Sequence, residues 1–376
     1  MYFPRVTLTL LVLICALSGI SFAAEDKIPV YYAGFAFLGD SADIEKNYPY
    51  SFQLSQEKEG DQFVIENLYS KRVKSIDLNG AELVINELGD LKQGAGFSLA
   101  FAIDDETVSV EEVAGVHKLV IDLSYQLLVF DFQEMKIVAC YPLAIQYIDT
   151  FDDKPTTEDI REIITSLYLT NNLSLNIPDL TVERLQKIAF KQSYSANIQV
   201  DEVIVEEKAF SHLPAKYGND VDNFKSFVAR IFNKNLSLNQ GVSVLPYSKG
   251  SAIGNKMSAR FANGEVYNLL LPEPDFTTQI TVRGFKKVCT DEKAAGSCWV
   301  YGSYVKLTII QPLMGKVYLD EKLKQGASKI VPASQKTVND WPAYQDSLLL
   351  LFDTVTKEFS TESKYKQVNK ILEKCR

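Results

Sequence analysis

Residues 118–130 alternate apolar and polar side chains with a period of two, the pattern of a β-strand with one wet face. Leu119 and Ile121 fall on one side of this segment, and Asp122 falls on the other. Residues 137–148 form a second strand-like segment after a short polar stretch. The pattern predicts a long antiparallel hairpin.

Apolar side chains at spacings of three and four residues predict amphipathic helices in four later segments. These helices begin near Thr156 or Thr157, at Thr181, at Asp220 or Asp222, and at Asn339 or Asp340. Two short helices are predicted as well, at residues 252–261 and at the end of the chain. Further strands are predicted at residues 28–38, 50–54, 63–73, 81–88, 97–103, 196–205, 241–245, 265–271, 281–288, 299–310 and 316–319.

One pattern occurs twice in the chain. The predicted hairpin around Glu134-Met135-Lys136 is followed by a helix, and so is a second hairpin around Met314-Gly315-Lys316. The two segments are either copies of one strand-and-helix unit or a chance similarity between hairpins, and the sequence leaves both readings open.

These elements predict an α+β fold with two mixed or antiparallel sheet domains, each packed with helices; a weak internal repeat that relates the two domains stays one of the two open readings. The expected division is a β-rich N-terminal domain at residues 24–154, a helical connector at 155–194 and an α/β C-terminal domain at 195–376.

The first 23 residues have the composition of a secretory signal peptide. A single charge, Arg5, precedes an apolar run that ends in Ser21-Phe22-Ala23. The run is shorter than the roughly 20 residues that cross a bilayer, so cleavage after Ala23 is favoured over a retained anchor. The sequence thus predicts a periplasmic or extracellular protein without an integral membrane segment after cleavage.

Composition narrows the class of function. The chain has 376 residues, a formal net charge of −9 and two histidines. The acidic balance argues against nucleic acid as a partner, because a nucleic-acid surface attracts a basic protein. The scarcity of histidine argues against metal sites and catalytic triads built on imidazole, and no cofactor or metal is expected.

Four cysteines follow the predicted signal peptide, and two of them bracket a predicted hairpin turn. Cys289 and Cys298 are therefore candidates for a disulfide, which an oxidising compartment would favour. Two unpaired thiols are the alternative. Cys140 is predicted to be buried, and Cys375 is either free or paired with Cys140.

Motifs with chemical meaning are weak. Residues 250–258 resemble a phosphate-binding loop, but the spacing between the glycines is wrong and Asn255 separates Gly254 from Lys256. Two Ser-x-x-Lys matches occur, at Ser55 and at Ser303, without the partner motifs of an acylating enzyme. Four acidic runs are predicted to be solvated turns, at residues 104–106, 111–112, 152–153 and 206–207. Neither His117 nor His212 has a catalytic setting.

The order of elements in residues 222–359 resembles the CsgG/TolB N-terminal-like α/β domain of bacterial envelope proteins. The turn Leu313-Met314-Gly315-Lys316-Val317 is similar to the hairpin turn before the closing helix of that family, without its usual aspartate. The resemblance implies an envelope assembly or scaffolding protein without active-site residues. No lipobox or pore strands accompany it, which leaves a pore function in doubt.

Three roles follow, and the first is preferred. It is a non-enzymatic envelope module that binds a protein partner through sheet edges and aromatic surfaces. The second is an envelope-polymer hydrolase, with a site assembled in space from residues such as Glu206 or Asp275. The third is a carrier of a small molecule or lipid, held in a pocket between the two halves. Whether the protein is an enzyme, and its oligomeric state, stay open.

Overall fold

The computed structural model describes residues 27–74, 76–85, 96–113, 115–169, 175–191, 193, 196–247, 252–253, 256–335 and 338–376. The α+β class is confirmed. The strands are β1 Ile28–Leu38, β2 Lys58–Glu59, β3 Gln62–Phe63, β4 Ala81–Val84, β5 Phe97–Val113, β6 Val116–Asp131, β7 Lys136–Phe151, β8 Ile198–Val205, β9 Val244–Leu245, β10 Ala252–Ile253, β11 Lys256–Phe261, β12 Val266–Leu270, β13 Phe276–Lys293, β14 Gly296–Gln311 and β15 Lys316–Pro332. The α-helices are α1 Ile44–Asn47, α2 Pro49–Ser55, α3 Val64–Lys74, α4 Thr157–Leu169, α5 Ile177–Lys187, α6 Glu207–Phe210, α7 Ala215–Gly218, α8 Val221–Gln240, α9 Trp341–Thr361 and α10 Lys366–Cys375.

The first sheet is built on β1, which pairs in parallel with β4 and with β5. From β5 the sheet continues as an antiparallel meander through β6 and β7, so the predicted hairpin is confirmed. The odd-numbered apolar positions of β6 are buried against helices of the first half, in one core with Ile65 and Ile164. The even-numbered positions lie on the opposite face.

The second sheet has the order β15-β14-β13-β8-β9. Strand β8 pairs in parallel with β9 and with β13, and β13 leads into an antiparallel meander. Helices α8, α9 and α10 cover one face of this sheet and share its core, which includes Phe232 and Phe352. Asp220 caps α8, and Gly241 ends it in the left-handed region.

The two halves share one strand order. In both, a central strand runs parallel to a short strand and to the first strand of a three-stranded meander. Even the irregularities correspond: β5 shifts register between Ile103 and Asp105, and β13 shifts between Val282 and Gly284. The turns that lead into the third strand of each meander also agree, because Met135 before β7 and Gly315 before β15 both have a positive φ, of 49° and 60°. Of the two alternatives that the sequence leaves open for the hairpins, this shared strand order favours two copies of one unit.

One segment of the second half belongs to the first sheet. Strands β10, β11 and β12 follow β9 in the chain but join the first sheet beside β7. β11 also pairs with β1, with Ala36 opposite Phe261, so the first sheet closes on itself around an apolar interior that includes Leu128 and Met257. The domain division expected at residue 195 therefore does not follow the sheets.

Three predicted elements have the wrong type. The segments 50–54 and 63–73 were expected to be strands but form α2 and α3, where Pro49 starts one helix and Ile65, Tyr69 and Val73 line one face of the other. A helix was expected at residues 252–261, but residues 252–253 and 256–261 form the paired strands β10 and β11. Short apolar runs fit both periods, and pairing with β1 decides this case in favour of a strand.

β1 bends at Gly34, where its register with β5 shifts. Glu66 of α3 stabilises the bend because its carboxylate accepts hydrogen bonds from the Phe35 backbone N–H at 2.6 Å and from the Tyr32 hydroxyl at 3.1 Å. Burial raises the pKa of Glu66 to about 7, although these two hydrogen bonds act to lower it. A cavity of about 580 Å³ adjoins this carboxyl group. In the described residues, no helix combines the length and the apolar character needed to cross a bilayer.

Candidate functional site

A cleft separates the first sheet from helix α8 and has two chambers. The apolar chamber, of about 150 Å³, is lined by side chains such as Ile145, Phe227 and Leu349. The polar chamber, of about 510 Å³, is lined by side chains such as Asp43 and Asn233. The same six residues line both chambers and form the wall between them: Asp104, Asp105, Thr107, Gln126, Tyr217 and Arg230.

Two neighbouring carboxylates reach this wall because β5 has a bulge. The register with β6 shifts between Ile103 and Asp105, which leaves Asp104 as the extra residue. In a regular strand, successive side chains point to opposite faces, whereas a bulge turns two successive side chains to one side. Asp104 and Asp105 therefore both line the cleft.

Arg230 of α8 connects the two halves across the cleft. Its guanidinium lies 3.0 Å from Asp105 Oδ1, and the two side chains are 23% and 25% exposed. Burial acts to lower the pKa of Arg230, but the charges of Asp105 and Asp104 outweigh it and raise the pKa. This ion pair is therefore a fixed part of the wall, and about three quarters of each side chain is shielded from solvent.

Asp104 has one engaged and one free carboxylate oxygen. Gln126 Nε2 donates to its Oδ2 at 2.6 Å, and the Cys140 thiol donates to Gln126 Oε1 at 2.9 Å, which fixes the orientation of the amide. Asp104 Oδ1 is buried and, among the described groups, has no hydrogen-bond partner. Burial raises the pKa of Asp104 to about 6, against the opposing effects of Arg230 and Gln126.

Lys234 contributes a second cation, one helical turn after Arg230 on α8 and in the apolar chamber. Burial lowers its pKa, and the charges of Asp122 and Asp353 act to raise it. Asp122 also lines this chamber and accepts a hydrogen bond from Gln146 Nε2 at 2.7 Å. The apolar chamber thus presents charged groups of both signs on apolar walls.

The arrangement suits binding better than hydrolysis. Asp105 is paired with Arg230, and Glu106 accepts hydrogen bonds from the backbone N–H groups of Tyr50 and Ser51, at 2.9 and 2.8 Å. Glycoside hydrolysis uses two carboxyl groups that both act on the substrate. Here the run Asp104–Glu106 offers one free oxygen, which can accept a hydrogen bond from a bound molecule.

The predicted disulfide is absent, and its two cysteines do not face each other. Cys289 and Cys298 are free. The register sets Cys289 opposite Trp299 and Cys298 opposite Asp291, with a bulge between the two pairs. Because of this offset, the two cysteines bracket the hairpin turn in sequence but do not lie opposite each other in space. Cys140 is buried, as predicted, and both Cys140 and Cys375 are free.

The other candidate residues have structural roles of their own. Ser303 bonds to Tyr344 and Ser347 on the helix side of β14, whereas Lys306 pairs with Asp320 on the other side. Ser55 donates to the Phe52 carbonyl oxygen of its own helix.

The residues named for a hydrolase site are also occupied. Glu206 lies 3.9 Å from Arg283, and Asp275 accepts a hydrogen bond from the Asn197 N–H at 2.8 Å. His212 packs against Phe285 and Tyr344. Of the loop resembling a phosphate site, residues 250, 251, 254 and 255 lie outside the described residues, and the rest belong to β10 and β11.

The sequence reading missed the cleft because it took residues 104–106 for a solvated turn. In the structure they belong to β5, which continues ten residues beyond the predicted end at Ile103. A usable signal was present: the polar residues Asp122, Ser124 and Gln126 all lie on one face of β6. When the face of a strand opposite the core carries a carboxylate and an amide, a polar group must lie near that face, because a buried polar side chain without a hydrogen bond costs free energy.

No family model matches the chain, and no curated protein matches it. Among solved structures, it is similar to a neuraminyllactose-binding hemagglutinin homologue from Helicobacter pylori, at 12% identity and a TM-score of 0.26, over 50% of this chain and 94% of that one. A minor lipoprotein from Acinetobacter baumannii has 10% identity and a TM-score of 0.20, over 46% and 94%. A Xanthomonas campestris protein of family DUF330 has 11% identity and a TM-score of 0.22, over 47% and 87%.

Proposed function

We propose that the protein is a non-enzymatic binding protein that holds a small polar molecule in the cleft between its two halves. The observation that carries this proposal is Asp104, whose Oδ1 is buried at the wall of the cleft without a hydrogen-bond partner in the described structure. A buried carboxylate oxygen in this state costs free energy, and a bound hydrogen-bond donor would recover it.

The chemistry of the walls limits the kind of molecule. Asp104 accepts hydrogen bonds, so the bound group is an amine or a hydroxyl. Lys234, which also lines the apolar chamber, favours an acceptor or an anionic group there. Tyr217 and Phe227 supply apolar surface beside these groups. The walls therefore fit a small molecule with both donor and acceptor groups, such as an amino acid or a sugar derivative.

Replacing Asp104 with asparagine is expected to weaken binding at least about tenfold, because the carboxylate charge is lost while the shape is kept. Native mass spectrometry of the full chain tests for a retained small molecule, and a thermal-shift panel of amines, amino acids and sugars supplies defined probes. Asp201→Asn is the matched control, since it removes one exposed carboxylate of β8. The proposal fails when no small molecule is retained and no probe raises the melting temperature of the wild type.

An amine probe is expected to bind more weakly below pH 6. The pKa of Asp104 is about 6 without a bound molecule, so the carboxyl group becomes protonated and loses its charge as the pH falls through that value. Affinity should then drop up to about tenfold for each further pH unit, and it should stay constant above pH 7. Titration calorimetry at several pH values measures this. A pH-independent affinity would place the amine away from Asp104.

Export and a place in the cell envelope stay predictions that rest on the first 23 residues, which lie outside the described ones. The similarity to CsgG/TolB-type domains and a protein partner in the envelope also stay predictions. Sequencing the N-terminus of the protein from its native host is expected to give Ala24 as the first residue. A mature chain that begins at Met1 would contradict export through a cleaved signal.

A further inference from the structure

The outer face of the second sheet, which is the face away from α9, carries a lysine patch. Buried and partly exposed residues alternate along β14, with Ser303, Val305 and Leu307 on the helix side. The opposite positions, in four consecutive cross-strand rows of β13, β14 and β15, are Thr281, Lys306, Lys322; Gly284, Tyr304, Lys324; Lys286, Gly302, Gly326; and Val288, Val300, Ser328. We call these twelve positions the lysine patch.

The charge of this patch is opposite to that of the whole chain. The chain has a net charge of −9, yet the patch holds four lysines and no carboxylate among its twelve described positions. Asp320 borders the patch and pairs with Lys306 at 2.8 Å. Within the described structure, no ion pair engages Lys286 or Lys324, whereas Lys322 is close enough to Asp320 for its charge to lower the pKa of that carboxyl group. The patch is therefore locally positive on a protein whose net charge is negative.

The glycines of the patch are a second, independent observation. Gly302 lies directly opposite Gly326 in the middle of two long strands, where glycine weakens a sheet. A Cβ added at Gly302 would meet its nearest atoms, Gln325 O and Tyr304 Cε2, at 3.6 Å, which is ordinary contact. Packing therefore does not require glycine there. Its effect is a flat floor beside the Tyr304 ring, over which another molecule can approach the backbone closely.

The internal repeat shows what this face does in the other half. The first cross-strand row after the bulge can be compared between the two sheets. In the first sheet it contains Asp105, Ser124 and Ala144, and in the second it contains Gly284, Tyr304 and Lys324. In the first half these positions line the cleft beneath α8. In the second half, Lys208 of α6 lies against Gly284, whereas Tyr304 is partly exposed and Lys324 is exposed.

We infer that the lysine patch binds an acidic polysaccharide, independently of the small molecule proposed for the cleft. Lys322 and Lys324 lie two residues apart on one strand, which is about 7 Å. This spacing along a line matches a polymer with repeated charges better than one compact anion. The Tyr304 ring and the glycine floor offer a flat surface for the apolar face of a sugar ring.

Two other anionic surfaces fit the patch less well. A membrane-binding face needs several protruding apolar side chains, whereas Val288 is the one exposed large apolar side chain among the twelve positions and Tyr304 is partly buried. Nucleic acid has a higher charge density than a polysaccharide with one carboxylate per sugar, and the acidic remainder of the chain opposes its approach. Both become outcomes of the test.

The test measures binding of the full chain to polygalacturonate, with dextran as the neutral polymer, by titration calorimetry at low and moderate salt. The double variant Lys322→Glu, Lys324→Glu is expected to weaken binding at least about tenfold. The matched control, Lys366→Glu with Lys370→Glu, makes the same charge change on exposed positions of α10 and is expected to leave affinity within about twofold. Gly302→Ala is expected to preserve or raise stability but weaken binding, since the added methyl group blocks the floor without straining the fold.

Polygalacturonate binding no stronger than dextran binding would overturn the inference. So would an equal loss in the α10 control, because net charge alone would then explain the effect. Stronger binding of oligo-dT or of phosphatidylglycerol vesicles, with the same loss in the Lys322 and Lys324 variant, would reassign the patch to nucleic acid or to a membrane.

Discussion

Replacing Arg230 with alanine is expected to lower the free energy of unfolding by about 3 kcal/mol at pH 8. The change removes the cation that lies 3.0 Å from Asp105 and acts on Asp104, so two adjacent carboxylates are left shielded from water without an opposite charge. The loss should shrink at pH 5, because Asp104 without Arg230 takes up a proton at a still higher pH. Urea denaturation at both pH values measures the difference.

Two controls separate this charge effect from lost packing. Arg283→Ala removes an arginine whose contact with Glu206 is 3.9 Å and more exposed, so its cost should stay below about 1 kcal/mol. Adding Asp104→Asn and Asp105→Asn to the Arg230→Ala variant should restore part of the lost stability. A loss that is the same at pH 8 and pH 5, and that these additions do not reduce, would show that Arg230 stabilises the cleft by packing alone.

Replacing Gly34 with alanine is expected to cost about 3 kcal/mol. Gly34 has a φ of +110°, a conformation that strains a residue with a side chain. A Cβ at this position would also lie 2.7 Å from Glu66 Oε1, the oxygen that accepts the Phe35 N–H. The methyl group must therefore displace the carboxylate that holds the bend of β1. Chemical denaturation of the full chain gives the cost.

Gly39→Ala is the matched control for this substitution. Gly39 has a similar φ of +118°, but a Cβ there meets no atom within 4 Å among the described residues. Its expected cost is about 1 kcal/mol from backbone strain alone. Equal costs at the two positions would mean that Glu66 moves aside freely and that it does not hold the bend.

Much of the fold could be predicted where the apolar pattern was long. The hairpin of β6 and β7 was readable because one side of each strand is buried over many residues, and α8 was readable from Phe224, Val228 and Phe232. The segments that became α2 and α3 were too short for periodicity to separate a helix from a strand. The insertion of β10–β12 into the first sheet depends on pairing across the chain, which no local pattern reports.

The cleft was harder to predict for a physical reason. Consecutive acidic residues are usually solvated, and only the bulge at Asp104 turns two of them toward one face. A bulge of this kind leaves no signature in residue types. The partner Arg230 lies more than a hundred positions away in the sequence, on a helix whose polar side would ordinarily face water. The lysine patch, by contrast, follows from strand alternation once the register of β13, β14 and β15 is known.

The pairing of β1 with β11 also constrains how the chain acquires its structure. Ala36 is among the earliest described residues, and its partner Phe261 is made only after most of the chain has been synthesised. The first sheet therefore has an unpaired strand edge until β10–β12 are synthesised, although β5, β6 and β7 can already pair with one another. Contacts this distant in sequence slow folding, and an exposed strand edge invites association with other chains. A nascent chain that stops before residue 252 would lack the strands that seal this edge, so premature termination should produce an aggregating product rather than a stable half-protein.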